Sequence, residues 1–345
     1  MPVLKRKVIG LDIGSSSIKW VLYSSGKRPD IYDWGICEIP AGWVRDGRIL
    51  DTAGIALSIN GILKGLKGRV SWVALSLSCP EMIIRTVYLP RLVPRELRSA
   101  VKYEIEQLMS SVAGQYVSDY MVLGEELREG SVQQKVLIAA LPLSIVEKYT
   151  KLFRGLNLKP LVFDFHGNCV SRLVGILKNI SKGERHLVLD SGASTTTITF
   201  VENGAPVFTR ILQKGGDGAT QYSEQLFKDI YRSVEFYRSR SGSGLDSVIT
   251  VGGGSYLKDF GTLIASKLEL REVSIADTLP YLAGGRFLPE QAAEYANVLG
   301  LALGEAKDRN KSINLLPGDY RDISKKRRAK RIKVLAGILA GAIAA

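Results

Sequence analysis

An α/β fold of two lobes built on one repeated plan is what three features of this 345-residue sequence predict. The same kind of turn occurs twice, as Asp12-Ile13-Gly14-Ser15-Ser16-Ser17 and as Asp190-Ser191-Gly192-Ala193-Ser194-Thr195. Each copy lies between two short apolar β-rich runs, 8–11 and 18–23 in the first, 187–189 and 196–201 in the second. That is the pattern of a tight hairpin. Around each hairpin the strand and helix signals follow a common β-β-β-α-β-α order, an internal duplication.

The elements follow in order. Residues 31–38 extend the first meander, 52–66 carry helical periodicity, and 70–78 return as a strand. Pro80 marks a boundary. A strand at 82–89, a helix from Pro94 to 109, strands at 116–127 and 133–141 around Glu129-Gly130-Ser131, and a helix at 142–156 then form an inserted α/β subdomain. The main lobe resumes with a strand at 160–165 and a helix near 167–178. Strands at 196–201 and 206–213 pair across Asn203-Gly204, a strong turn signal. Gly215-Gly216-Asp217-Gly218 precede a helix from about 219 to 240, a strand spans 248–251, and helices follow at 256–268 and 290–306. The expected organisation is a first lobe (1–79 and 158–189), the insertion (80–157), a second lobe (190–308), a linker (309–331) and an apolar helix (332–345).

With 46% hydrophobic residues the chain can build two cores. Cys37, Cys79 and Cys169 lack metal-ligand spacing and the only histidines are His166 and His186, which argues against a zinc site or a disulfide framework and fits a reducing cytoplasm. Residues 1–7 run straight into a strand pattern and are not expected to be a signal peptide. Of the net charge of +13, about half comes from residues 318–333, which hold eight Lys/Arg against two Asp. Few aromatics interleave with these charges, so no nucleic-acid partner is expected. Residues 334–345 contain no polar side chain, and the basic run 325–331 before them is the flank that stays cytoplasmic. This stretch is expected to be the first part of a transmembrane helix, with anionic inner-membrane lipids meeting the basic run. A buried or interfacial C-terminal helix is the alternative.

The turns carry the chemistry. Glycine lets a backbone approach a phosphate, and the N–H and hydroxyl groups after it can cradle its oxygens. Two such turns facing one cleft would clamp ATP: Gly14, Ser15, Ser16, Gly192, Ala193, Ser194 and Thr195 on the phosphates, and Asp12 and Asp190 organising Mg²⁺ through water. Lys19 is either a phosphate-reaching charge or a solvated strand lysine. Gly252, Gly253 and Gly254, between a strand and a helix, would line the nucleoside, and Gly216 is a further candidate for binding the nucleotide; a purely structural turn is the bland alternative for the triplet.

Taken together, these residues resemble the actin-like ATPase superfamily, which includes actin, MreB and FtsA, and within it the PilM family of type IV pilus assembly proteins. The likeness rests on Gly10 to Lys19, the helix 96–107, Leu156 to Pro160, Leu189 to Ser194, Gly204 to Arg210, Ser233 to Ser239 and Val251 to Gly254. It implies an actin-like, FtsA-type two-lobed ATPase fold carrying the inserted subdomain. It also implies a place on the cytoplasmic face of the bacterial inner membrane, in the complex that aligns the pilus. PilN- and PilO-like inner-membrane proteins are the implied partners, with a pilus motor ATPase or platform protein and homo-oligomers as further ones.

A second resemblance is shorter. Ile313-Asn314-Leu315-Leu316-Pro317, followed by a basic run and an apolar stretch, resembles the cytoplasmic N-terminus of PilN, whose peptide docks between the first lobe and the inserted subdomain of PilM. Here both parts share one chain, so the peptide would dock on its own head or on a neighbour's; an ordinary linker is the alternative. The chain also departs from the family. The extra helical segment that helps enclose adenine is missing near 220, which implies a purine pocket open on one side. Where the family often has Asp-Val-Glu-Pro, this chain has Asp164-Phe165-His166-Gly167. Asp164 and His166 are candidates for positioning the attacking water, although His166 could equally be a core residue. Losing a carboxylate there implies ATP binding with slow or no hydrolysis. The competing functions are an L-type component of type II secretion, an FtsA-like membrane tether and a small-molecule kinase.

Overall fold

The computed structural model describes residues 6–26, 29–109, 115–128, 130–213, 224–253, 260–275, 292–306 and 312–318. Strands β1 (Lys7–Ile13), β2 (Ser17–Ser24) and β3 (Ile31–Glu38) form a meander, followed by a small hairpin of β4 (Val44–Arg45) and β5 (Arg48–Ile49). Helix α1 (Thr52–Gly65) leads to β6 (Trp72–Leu77). The insertion comprises β7 (Ile83–Pro90), α2 (Pro94–Met109), β8 (Tyr116–Arg128), β9 (Ser131–Pro142) and α3 (Leu143–Gly155), and β10 (Lys159–Phe165) and α4 (His166–Val174) follow it. The second half contains β11 (Arg185–Ser191), β12 (Thr196–Glu202), β13 (Ala205–Leu212), α5 (Glu224–Ser241), β14 (Ser247–Val251), α6 (Phe260–Leu268) and β15 (Arg271–Glu272). A 3-10 turn (Ala292–Tyr295) then runs into α7 (Ala296–Ala306).

The duplication is visible in the sheets. One has the order β3-β2-β1-β6-β10 and the other β13-β12-β11-β14-β15. In both, a meander is antiparallel and the strands beyond its first member add in parallel. β1 is buried along nearly its whole length because both faces of its sheet are covered. Ile9 and Leu11 enter the core under α1, whereas Val8 enters the core between the lobes. This two-residue alternation divides one strand between two cores.

Helices α4 and α7 fill the space between the sheets and cross over. α7 packs against β1, β2 and β6, while α4 packs against β12 and β13. Glycine makes the crossing close enough: a Cβ at Gly300 would run into the carbonyl oxygen of Cys169, and one at Gly304 would meet the Arg172 guanidinium at 2.6 Å. The insertion adds a second bridge. Thr86 Oγ1 donates to the Val207 carbonyl at 2.6 Å, and Lys135 Nζ reaches Glu126 at 2.8 Å and Glu202 at 2.9 Å.

Several sequence expectations shift. The helix expected to reach residue 178 ends at Val174, where Gly175 approaches Gly204 too closely for a side chain. The last helix begins at Ala296 after the 3-10 turn rather than at 290. Strands β4, β5 and β15 were not anticipated; each is only two residues long. Asn203 and Gly204 do form a tight turn, both with positive φ (51° and 72°). Residues 334–345 and the basic run before them lie outside the described residues, among which no helix is long and apolar enough to cross a membrane.

Candidate functional site

The two repeated turns close in the same way. Gly14 N–H donates to the Ser17 carbonyl at 3.0 Å and Gly192 N–H to the Thr195 carbonyl at 2.9 Å, so these amides are spent on the turns themselves. Each turn lies between antiparallel partners, Ile13 opposite Ile18 and Ser191 opposite Thr196. Both turns line one cavity between the lobes, together with Asp12, Lys19, Val44, Asp46, Gly47, Ser78, His166, Asp190 and Asn297. Gly14, Ser15, Ser16, Ala193, Ser194, Thr195 and Lys19 are therefore brought together. Lys19 pairs with Asp12 across the β1–β2 ladder, and its charge is among the influences that hold the Asp12 carboxyl below its usual range.

Asp12 and Asp190 end equivalent strands and are both buried. His166, the first residue of α4, stands between them: Nε2 is 3.1 Å from Asp12 Oδ1 and Nδ1 is 3.1 Å from Asp190 Oδ2. Asn297, near the start of α7, donates from Nδ2 to Asp12 Oδ2 at 3.3 Å and to Asp190 Oδ2 at 2.9 Å. The N-terminal ends of the two crossing helices thus face the carboxylates, which their partial positive charge favours. Burial disfavours a charged imidazole at His166, but the charges and hydrogen bonds of Asp12 and Asp190 outweigh it and push its pKa up to about 10. For Asp12, burial works against the charged form and His166 then overcomes it, lowering the pKa.

Other candidates are placed elsewhere. Asp164 does not line this cavity: its carboxylate is held by Arg172 Nη2 at 2.6 Å, by Asn168 Nδ2 at 3.0 Å and by the Phe165 N–H at 2.8 Å. A carboxylate so fully engaged cannot position water in the cleft. Gly252, with φ of 83°, sits behind Asp190, where a Cβ would collide with that carboxylate and with the Ser191 carbonyl. Gly253 is exposed and lies against Glu294. Neither lines the cavity, while Gly216 and Gly254 lie outside the described residues. The expected Mg²⁺ at Asp12 and Asp190 also fits poorly. Three of their four oxygens are occupied by His166 and Asn297, and among the described residues no group of three His, Cys, Asp or Glu side chains could hold a metal.

Sequence reasoning missed Asn297 and the β4–β5 hairpin. The hairpin had a readable signal, Asp46-Gly47, and both residues adopt positive φ (51° and 73°). It is pinned by Tyr149, whose hydroxyl donates to the Gly47 carbonyl at 3.1 Å. Asp46 in turn accepts from Gln213 Nε2 at 3.3 Å, a link from one lobe to the other. Asn297 carried no local signal.

The 313–317 segment occupies a second site. Ile313, Leu315 and Leu316 are fully buried in the core of the first lobe and the insertion. The segment runs along β10, the edge of its sheet: the Leu315 N–H donates to the Phe163 carbonyl at 2.8 Å. Asn314 holds the register. Its Oδ1 accepts from Phe163 N at 3.2 Å and Leu316 N at 3.1 Å, and its Nδ2 donates to the Leu161 carbonyl at 3.2 Å. From the insertion, Asp119 Oδ2 accepts the Asn314 N–H at 2.9 Å. Pro317, at the end of the segment, is half-buried.

The family model described as type IV pilus assembly protein PilM matches residues 10–222. Among solved structures, a PilM–PilN type IV pilus biogenesis complex is similar with a TM-score of 0.75 at 24% identity, covering 87% of this chain and 99% of that one. The ethanolamine utilization protein EutJ of Carboxydothermus hydrogenoformans is more distant, with a TM-score of 0.48, 15% identity, and 88% and 91% coverage. Among curated relatives, cell division protein FtsA of Streptococcus pneumoniae serotype 2 (strain D39 / NCTC 7466) is 22% identical over 66% of this chain. The chain spans about half of that relative's length (54%). The fold is the actin-like one.

Proposed function

This chain belongs to the type IV pilus assembly protein PilM family, and on that premise we propose that it is a nucleotide-binding scaffold which carries its own PilN-like peptide. The nucleotide reading is carried by one observation: two equivalent turns, from equivalent positions in two duplicated sheets, line the same cavity. ATP is the nucleotide we assign, its phosphates lying between the turns where serine and threonine hydroxyls and Lys19 gather. Any Mg²⁺ in the cleft would come as the companion of those phosphates. Turnover is slow or absent in this reading. Asp164 is sequestered by Arg172, and His166, with a carboxylate at each ring nitrogen, has no nitrogen left to accept a proton.

The peptide reading is supported by strand addition with side-chain pockets, a common mode of peptide recognition. Burying three aliphatic side chains at about 1.5–3 kcal/mol each roughly offsets the about 1–2 kcal/mol per residue needed to order the segment. The hydrogen bonds of Asn314 and the covalent tether then decide the balance, since a short linker gives an effective concentration in the millimolar range. We further assign the chain to the cytoplasmic face of the inner membrane, with the basic run 325–331 against anionic lipid and PilN/PilO-like proteins as partners. A thermal-shift series with ATP and ADP tests the nucleotide assignment: no shift with either nucleotide removes it. Hydrogen exchange over 312–317 tests the docking, and exchange at the rate of a free peptide rejects it.

A further inference from the structure

His166 and Asn297 tie the aspartates of the two lobes to each other. Carboxylates at neutral pH only accept hydrogen bonds, and each nitrogen of the His166 ring has one at 3.1 Å. Both nitrogens therefore donate, and the side chain stands as a cation between two anions. Asn297 fixes the arrangement from the opposite helix. Its Nδ2 reaches both carboxylates, and its buried Oδ1 has no hydrogen-bond partner among the described residues. A buried acceptor without a donor is unfavourable. The amide keeps this orientation because turning it over would set its oxygen against the carboxylates.

A Mg²⁺ requires near-octahedral oxygen ligands close to 2 Å. To be held by Asp12 and Asp190 together, here it would have to expel a side chain of like charge from between them. Lys19, facing the same cavity, adds a second positive group, so His166 and Lys19 already balance the two aspartates. Among the described residues of the cavity, Asp46 is the remaining carboxylate; it is half-buried and bonded to Gln213.

We propose that this cleft binds its nucleotide without needing a divalent cation, His166 standing where a metal would otherwise join the two aspartates, with Asn297 as its positioning partner. The inference rests on the nucleotide reading above and goes beyond it, because it assigns the link between the two aspartates to a protein side chain.

The test is a calorimetric titration of the full chain with ATP, run once in excess EDTA and once in millimolar Mg²⁺. The expected dissociation constants agree within about threefold. Binding that weakens about a hundredfold or more in EDTA overturns the inference and leaves the nucleotide reading standing. Binding in neither buffer removes that reading and the inference with it. The variant His166→Glu is expected to bind ATP only with Mg²⁺; equal binding in both buffers would remove the role given to His166. If that variant does not fold, Mn²⁺ paramagnetic resonance on the unaltered protein decides. Without nucleotide, the spectrum should remain that of the free aqua ion, and Mn²⁺ bound by the protein alone and displaced by Mg²⁺ would overturn the proposal.

Discussion

In the groove, Ile313, Leu315 and Leu316 are buried, and Asn314 bonds to β10, to the insertion and to the peptide itself. In the cleft, only a few steps further along the same stretch of chain, charged groups face one another around a cavity. Leu161 and Phe163 of β10 grip the peptide, and His166 at the start of α4 joins the two aspartates. One short segment thus serves an apolar site filled by the chain and a polar site to which we assign an occupant from outside. The apolar site depends on shape and register, and the polar site on charge balance. Substitutions at the two should differ in kind.

The largest effect is expected at the cleft. His166→Ala leaves two buried carboxylates without their cation, a loss of about 3–5 kcal/mol. Urea denaturation near neutral pH reads it, and Asp190→Asn in the same chain should restore part of the loss. A change under about 1 kcal/mol would show that the carboxylates find water there. Next is Leu315→Ala, where deletion of a fully buried side chain costs about 2–5 kcal/mol. On the proposed reading of the segment as a tethered ligand, this cost should appear as local release: fast exchange over 312–317 with the head's denaturation midpoint nearly unchanged. A fall in the midpoint as large as that of His166→Ala would make the peptide part of the fold and erase the contrast. Asn314→Ala should loosen the same residues by about 1–3 kcal/mol, since it strips the Phe163 N–H of its acceptor. Unchanged exchange there would reject docking through Asn314.

Legibility in the sequence differed between the sites for physical reasons. The duplicated turns were readable because a hairpin is specified by residues that touch it in the chain, and the same holds for Asn203-Gly204. The peptide was readable only through resemblance: nothing in Ile313 to Pro317 alone says that Phe163 and Asp119 await it. Asn297 was not readable at all. It meets Asp12 across 285 positions through the crossing of α4 and α7, which the glycines at 300 and 304 permit. Asp164 misled for a related reason. A carboxylate two residues from His166 looked like a member of the same site, but Arg172, two helical turns on, takes it out of the cleft.

The smallest effect per step is in the pH dependence, and the two histidines make the contrast within one protein. His166 has a folded pKa raised to about 10, so its imidazolium is worth most below the ordinary histidine value of about 6.5. That contribution drains away as pH rises through the folded value, at about 1.4 kcal/mol per pH unit for one proton. Asp12, with a lowered folded pKa, contributes above its unfolded value and loses that contribution as acid protonates it. His186, held below its ordinary value chiefly by burial, contributes nothing once it is neutral in both states. Stability should therefore fall steadily from pH 7 towards pH 10. The proton spectrum at pH 8 should show one imidazolium and one neutral imidazole. Two neutral rings at that pH would mean that the aspartates are not holding a cation between them, and the contrast between cleft and groove would reduce to polarity alone.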